Sequence, residues 1–151
     1  ASDVYKRQGD ENAISENAKK GYRLFLKLGC QTCHTGPAMG GQSFEYADLK
    51  GDFFSGRAKT NDDNGLMNFT KKETDKHRFR VPTLRNVELT WPYMHDASAQ
   101  TLEEAITKMY HYQLGYDKLD KNEVRLLVAF LKTLTGEYQG KPVQGEVCPA
   151  P

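Results

Sequence analysis

The feature that most constrains this chain is the run Cys30-Gln31-Thr32-Cys33-His34. A C-x-x-C-H run is the attachment signature of c-type haem. Two thiols at this spacing can reach the two vinyl groups on one edge of a porphyrin and form thioethers. The histidine that follows then lies under the ring, where its imidazole can bind the iron. We therefore predict one covalent haem c, attached through Cys30 and Cys33, with His34 as the proximal ligand.

Two other uses of a C-x-x-C pair fit the sequence less well. A structural zinc ion takes four protein ligands, but Cys148 is the only further cysteine and lies in a tail that contains proline and glycine. A redox-active dithiol lies beside a βαβ pattern, and none is visible here. We expect Cys148 to be a free thiol, with intermolecular pairing as the alternative.

Composition sets the class of the protein. The 151 residues fall within the usual size of one domain, and 38% of them are hydrophobic. The net charge of +1 does not suggest a nucleic-acid partner. No apolar run approaches the roughly 18 residues that span a bilayer, so we predict no membrane span. No signal peptide is visible, yet haem attachment to thiols belongs to exported proteins. We therefore expect a mature chain or a fragment from the bacterial periplasm.

Hydrophobic periodicity predicts three helices. The first covers residues 14–28 and delivers Cys30 to the haem; its inner face is expected to contain Ala18, Tyr22, Phe25, Leu26 and Gly29. The second begins at a capping box formed by Thr101 and Glu104 and runs to about residue 112. The third begins after Asp120, and Gly136 is expected to cap its C-terminus. Its apolar face comprises Val124, Leu127, Val128, Leu131 and Leu134.

The remaining segments are polar and rich in turn residues. Residues 42–79 predict a long surface loop with one short helix at most, and loops of that length are usually functional or disordered. No segment shows a convincing strand pattern. We predict an all-α, cytochrome c-like domain with long loops around one covalent haem. It would occupy residues 11–136, between a disordered or non-native leader at 1–10 and an extended C-terminal tail at 137–151.

The second axial ligand of the iron has several candidates. Met39 follows His34 by only five residues, which leaves little chain to pass around the ring. Met109 ends an apolar stripe on the second helix, and His111 lies roughly 200° further round that helix, so the two cannot both face the iron. A thioether is a suitable ligand, but a helical methionine is more often core filler. The full set of candidates is Met39, Met67, Met94, Met109, His77, His95 and His111.

A longer ordered pattern adds a family resemblance. Residues 79–90 (FRVPTLRNVELT), 92–96 (PYMHD), 101–105 (TLEEA) and 128–136 (VAFLKTLTG) resemble the C-terminal domain of bacterial di-haem cytochrome c peroxidases. The related MauG enzymes share part of this pattern. The likeness covers about residues 20–136. The chain departs from the family in having one C-x-x-C-H run, Ala97 in place of the usual glycine, and Tyr93-Met94 in place of Tyr-Phe.

The resemblance implies an axial ligand and a direction of electron flow. In that family the C-terminal haem has His/Met ligation, and its methionine follows the histidine of the P-Y-x-H-D motif by fourteen residues, which is Met109 here. MauG enzymes carry tyrosine at that position, so methionine favours the peroxidase side. The family's C-terminal haem accepts electrons from a small cytochrome c or a copper protein. The haem of its N-terminal domain reduces hydrogen peroxide.

The resemblance also suggests secondary contacts. A calcium ion would bind through the backbone oxygens of Thr90 and Pro92, since carbonyls are suitable ligands for calcium; an ordinary proline turn is the alternative. His95 would lie near the haem propionates or would be a buried structural histidine. Arg80 and Arg85 would offset propionate charge, with solvation at the surface as the alternative.

Two functional classes follow from the sequence. In the first, the chain is the electron-input domain of a di-haem peroxidase, separated from its peroxidatic N-terminal domain, and contains no catalytic residue of its own. In the second, it is a stand-alone mono-haem electron carrier. Whether this chain alone is an enzyme stays open at this point, and a homodimer is a further option.

Overall fold

The fold is a small set of helices joined by long, structured connections. The structure is a computed structural model and describes residues 9–145. Its α-helices are α1 (Glu16–Lys27), α2 (Met67–Thr70), α3 (Leu102–Tyr112) and α4 (Lys121–Lys132). Short 3₁₀ turns lie at Cys30–Thr32, Asn61–Asn64, Glu73–Asp75 and Val87–Leu89. None of the helices in this part of the chain has the length and apolar character needed to cross a membrane.

The structure also contains two small antiparallel sheets. The sequence pattern did not predict these sheets. Strand β1 (Phe44–Tyr46) pairs with β2 (Arg78–Arg80), and β3 (Glu137–Tyr138) pairs with β4 (Lys141–Pro142). Strands of two or three residues are too short to show a period-two pattern. The mostly helical class is nevertheless confirmed, because the helices supply most of the core and the sheets only close loops.

Side-chain caps begin three of the four described helices, two of them at Thr101 and Asp120, where the sequence predicts them. The side chain of Ser15 accepts a hydrogen bond from the backbone N–H of Ala18, and Thr101 accepts one from Glu104 over 3.2 Å. The Asp120 carboxylate accepts from the N–H of Asn122. The return bond of the predicted capping box lies one residue earlier than expected, because the Glu104 carboxylate accepts from the N–H of Gln100. Such N-caps typically stabilise a helix by about 1 kcal/mol.

The predicted cap at Gly136 is wrong. Helix α4 ends at Lys132, and the Thr133 hydroxyl donates to the carbonyl of Phe130, so the end of the helix closes without a glycine. The N–H of Gly136 instead donates to the side-chain oxygen of Asn86 over 2.8 Å. Gly136 therefore joins the end of the helical domain to the Val87–Leu89 turn.

The core forms where α1 crosses α4. The rings of Tyr22 and Phe25 each lie 5.3 Å from the ring of Phe130. The predicted inner face of α1 is wrong at Leu26, which is 38% exposed, while Leu24 is buried. The predicted face of α4 is confirmed and also includes Phe130. The buried cluster contains Leu24, Phe25, Leu84, Val87, Leu102, Leu119, Leu127, Val128, Phe130, Leu131 and Leu134.

The helix crossing depends on a glycine. A Cβ atom on Gly21 would lie 1.9 Å from the carbonyl oxygen of Leu126 on α4. We expect Gly21→Ala to destabilise the haem-loaded protein by about 2 kcal/mol, since overpacking a helix contact outweighs the better helix propensity of alanine. Chemical denaturation measures this free energy. Lys20→Ala, at an exposed position on the same turn, is the control, and equal midpoints for the two variants would contradict the close crossing.

Residues 42–79 are not the solvated loop that their polarity predicts. Phe54 is 1% exposed and Phe53 is also buried, and their ring centroids lie 5.3 Å apart. Strand β1 pairs with β2 at the two ends of this segment, with Phe44 opposite Arg80. The few buried residues are irregularly spaced, so they leave no periodic signal in the sequence.

The described residues end just after the β3–β4 hairpin. After the β3–β4 hairpin, the N–H of Val143 donates to the carbonyl of Gly136 over 2.9 Å. Cys148 and most of the predicted leader lie outside the described residues. The three predicted segments, residues 1–10, 11–136 and 137–151, stay predictions.

Candidate haem site

The C-x-x-C-H run forms one compact turn directly after α1. Gly29 ends the helix with a left-handed φ of 80°, and Cys30–Thr32 is a 3₁₀ turn. The N–H of His34 donates to the carbonyl of Cys30 over 3.0 Å. Both cysteines are free thiols and partly buried. Two thiols and one imidazole therefore share a single turn, which is the arrangement that thioether attachment needs.

Burial sets the protonation of this turn. It raises the pKa of the Cys30 thiol to about 11 and also raises the pKa of Cys33. Burial lowers the pKa of His34. At neutral pH the imidazole is therefore uncharged, and a neutral imidazole is the form that binds a metal.

The tautomer of His34 follows from its partner. Nδ1 of His34 lies 3.2 Å from the carbonyl oxygen of Pro82. A carbonyl only accepts, so Nδ1 carries the proton and donates it, and the lone pair is on Nε2. A histidine ligand of a metal commonly donates its other ring N–H to a carbonyl in this way, which fixes the ring and makes it more basic. The residues present therefore fit a proximal haem ligand.

A second loop places the Pro82 carbonyl beside this turn. The N–H of Gly41 donates to Val81 over 2.7 Å, and the N–H of Leu84 donates to Met39 over 3.1 Å. Gly40 has a φ of 130°, and a Cβ atom there would lie 2.1 Å from the oxygen of Pro82. Only glycine can occupy this position without displacing the acceptor of the His34 hydrogen bond.

Arg80 and Arg85, the two arginines predicted to lie near the propionates, strengthen the contact between the glycine-rich loop and the segment that carries Pro82. Nε of Arg80 donates to the carbonyl of Gly41, and Nε of Arg85 donates to the carbonyl of Pro37, each over 3.0 Å. Each guanidinium group therefore ties the glycine-rich loop to the segment that carries Pro82. A role toward haem propionates stays a prediction for both residues.

The candidate distal ligands differ in how they are held. Nδ1 of His77 lies 2.9 Å from the Asp48 carboxylate, and Nδ1 of His111 lies 3.4 Å from the carbonyl of Tyr116. Met39 packs against the hydrophobic core. Met109 lies on α3 and is 37% exposed, so it is not the core filler that its helical position allowed. These contacts give His77, His111 and Met39 other partners, and the role of Met109 on the iron stays a prediction.

His95 belongs to a buried polar cluster that the sequence did not reveal. Its Nε2 lies 2.7 Å from Oδ1 of Asp63, a residue that is 2% exposed. Arg57 binds both oxygens of that carboxylate, and the N–H of Thr60 donates to it over 2.7 Å. The hydrogen bond from Arg57 is the main reason that the pKa of Asp63 lies well below its usual range. The only signal in the sequence was the Thr60-x-x-Asp63 spacing of a capping box, which the structure contains.

The cluster bears on the two alternatives for His95. The imidazole also stacks on Phe79, with the ring centroids 4.2 Å apart, and its side chain is 15% exposed. These contacts fit the structural alternative. The propionate alternative stays a prediction.

The candidate calcium residues lie in an exposed turn. The Trp91–Pro92 peptide bond is cis, and the Thr90 hydroxyl donates to the carbonyl of Val87 over 3.1 Å. Within residues 9–145, no group of three or more His, Cys, Asp or Glu side chains could hold a metal ion. A calcium ion bound through the backbone oxygens of Thr90 and Pro92 stays a prediction.

Comparison with known proteins decides the family. Residues 18–135 match the family model of cytochrome c. The chain belongs to the cytochrome c family. Covalent haem c is therefore its cofactor, as the C-x-x-C-H run predicted.

The similar proteins narrow the position of the domain within this family. It is 46% identical over 130 residues to a cytochrome c551 peroxidase of Nitrosomonas europaea, covering 86% of this chain and 37% of that protein. It is 49% identical over 131 residues to the cytochrome c peroxidase Ccp of Escherichia coli, covering 87% and 28%. A methylamine utilization protein MauG of Methylorubrum extorquens is 33% identical, over 85% and 37% of the two chains. The predicted resemblance to the di-haem peroxidase and MauG family is thus confirmed.

A solved structure supports the same assignment. The crystal structure of a MauG-like protein associated with microbial copper homeostasis superposes with a TM-score of 0.68 at 29% identity, covering 82% of this chain and 48% of that one. The chain thus spans less than half the length of each of these similar proteins.

Proposed function

We propose that this domain is the electron-input half of a di-haem cytochrome c peroxidase. It would take electrons from a small cytochrome c or a copper protein and pass them to a peroxide-reducing haem in an N-terminal domain. The observation that carries the proposal is a methionine at position 109, on a helix and with its side chain accessible, in a chain with peroxidase relatives. Haem c supplies one-electron chemistry, and a His/Met pair raises its potential.

The residues of the chain have distinct roles in this proposal. Cys30 and Cys33 hold the cofactor through thioether bonds, so that it cannot dissociate. His34 binds the iron through Nε2, while the carbonyl of Pro82 accepts the proton on Nδ1 and keeps the imidazole oriented. Met109 would supply a neutral thioether as the second ligand of the iron. With both axial positions filled, peroxide would have no site on this domain.

The domain would act in the bacterial periplasm, because thioether attachment is a chemistry of exported proteins. Arg80 and Arg85 would offset the charge of the propionates, and a calcium ion at Thr90 and Pro92 would stiffen the contact with the N-terminal domain. Homodimer formation would be a property of the complete enzyme.

A second candidate function has one observation in its favour. The chain has a single C-x-x-C-H run, which is all that a stand-alone mono-haem carrier needs. Such a carrier would exchange electrons with two separate redox proteins and would require no N-terminal haem domain. The length of the native open reading frame distinguishes it from the peroxidase domain.

We expect the haem-loaded chain alone to exchange electrons rapidly and to reduce peroxide negligibly. The physical reason is coordination, since a reaction at iron needs a vacant or readily displaced position. Stopped-flow mixing with a reduced small cytochrome c measures the first property, and a steady-state assay with the same cytochrome and hydrogen peroxide measures the second. Adding an N-terminal haem domain from a similar peroxidase should restore turnover.

The contrary result would change the assignment. Turnover by the isolated chain comparable to that of a full-length di-haem peroxidase would show that the iron of this domain is itself open to peroxide. Slow electron exchange with every small cytochrome or copper protein tried would argue against an electron-input role.

A further inference from the structure

One segment of the chain, residues 46–63, contacts the C-terminal end of the helix that carries Met109 and the turn that precedes this helix. It is here called the clamp segment. It is the first half of the region that the sequence predicted to be a surface loop.

The clamp segment holds the C-terminal end of α3 through backbone groups. The side-chain amide of Gln113 donates to the carbonyls of Tyr46 and Ala47, each over 2.9 Å. In return, the N–H of Lys50 donates to the carbonyl of Tyr112 over 2.9 Å. One of the unsatisfied carbonyls that every helix end presents is satisfied in this way.

The same segment holds the turn that precedes α3. Residues 93–99 form a closed turn, in which the N–H of Tyr93 donates to the carbonyl of Ala99 over 2.7 Å. His95 projects from this turn to Asp63 of the clamp segment. Arg57 holds Asp63 and also lies 3.5 Å from Asp96 of the same turn. The turn is therefore attached at two adjacent side chains.

The ring of Phe53, in the clamp segment, contacts both the turn before α3 and the C-terminal end of α3. The ring of Phe53 lies 5.6 Å from the imidazole of His95 and 5.0 Å from the ring of Tyr112. It thus contacts a residue before α3 and a residue at the end of α3, on either side of Met109 in the chain. A buried, hydrogen-bonded and close-packed support of this kind resists small displacements.

We propose that Asp63 and Gln113 are positioning residues that keep the thioether of Met109 on the haem iron. This inference rests on the proposed function, in which Met109 is the axial ligand. A neutral thioether is a ligand that other donors can displace, and one residue along a helix is 1.5 Å. A helix free to shift by even part of that distance would leave the iron open. The two attachments prevent the shift from opposite ends.

The test uses haem-loaded full chains and reports on the ligand rather than on turnover. The variants are Asp63→Asn, which keeps the shape but loses the charge, and Gln113→Leu, which removes both amide hydrogen bonds. The controls are Asp75→Asn, which breaks an ion pair with Arg78 away from α3, and Thr107→Val, which removes a hydroxyl bond on α3 itself. The measurements are the methionine-to-iron absorption band of the ferric protein and the rate at which added imidazole binds.

We expect Asp63→Asn and Gln113→Leu to bind imidazole about tenfold faster than the wild type. Asp63→Asn weakens hydrogen bonds to a buried charge and Gln113→Leu removes two neutral hydrogen bonds, and the stabilisation lost in either case corresponds to a factor of about ten. The band should weaken in both variants, and the controls should match the wild type. Far-UV circular dichroism shows whether each variant is folded. If Asp63→Asn fails to fold, Gln113→Leu, at a partly exposed position, decides the question.

The outcomes separate this inference from the proposed function. If the wild type has the methionine band and Gln113→Leu and Asp63→Asn behave like the controls, the clamp segment does not position Met109, but the ligand assignment stands. If the wild type lacks the band, or if Met109→Ala retains it, the ligand assignment itself is wrong.

Discussion

Met109→Ala is expected to abolish the methionine-to-iron absorption band at the red end of the visible spectrum and to lower the reduction potential. A thioether favours ferrous iron, and its replacement by water or hydroxide removes that preference. Axial ligands shift haem potentials over a range of about 0.8 V, so a fall of more than about 0.1 V is expected. Optical spectra of the ferric protein and a potentiometric titration provide the two measurements.

The same variant should make the iron reactive. With one axial position open, the ferric protein should bind cyanide or imidazole much faster than the wild type, and some peroxide reduction should appear. Met67→Ala is the matched control, because Met67 begins the short helix α2 and not the helix α3 that holds Met109. An unchanged spectrum in Met109→Ala would make Met94 or a histidine the ligand.

Replacing both Cys30 and Cys33 by alanine is expected to eliminate covalent haem entirely. A thioether forms only where a thiol meets a vinyl group, so the purified double variant should have the denatured mass of the bare polypeptide. Each single variant should keep one thioether and carry haem at reduced yield. Mass spectrometry of material produced with haem maturation machinery measures these outcomes, and acid extraction should remove the haem only from the double variant.

Cys148→Ala provides the matched control, because it removes a thiol outside the C-x-x-C-H run. Its haem content should equal that of the wild type. Covalent haem in the double variant would show attachment through another side chain. Loss of haem in Cys148→Ala would assign the third thiol a part in maturation that its place in the tail does not suggest.

The sequence predicted the helices well because their determinants are local. Thr101 and Asp120 each accept a hydrogen bond from a backbone N–H only two or three residues further on, and the apolar face of α4 repeats every three or four residues. The errors arose where the determinant is a contact distant in the sequence. Gly136 pairs with Asn86, fifty residues away, so no local pattern could separate this contact from a helix cap.

The residues of the site also fall into those that a local pattern predicts and those that depend on contacts distant in the sequence. The turn from Cys30 to His34 is a local motif and was visible at once. Asp63 was not, because its importance comes from Arg57 and from His95, which lies 32 residues away. A polar run such as residues 61–64 is usually solvated, and only the folded chain shows that one of its carboxylates is buried. The prediction for Met109 needed a helix pattern and a family resemblance together.

The bond between His34 and Pro82 has a consequence for the order in which this protein is made. The five residues that take up the cofactor are contiguous, so attachment can occur on an unfolded chain. The carbonyl that orients the imidazole lies 48 residues further on, and closing that loop carries an entropic penalty that only the folded core offsets. Attachment and ligand tuning are therefore separate events in time, and a variant that matures normally can still fail at the later one.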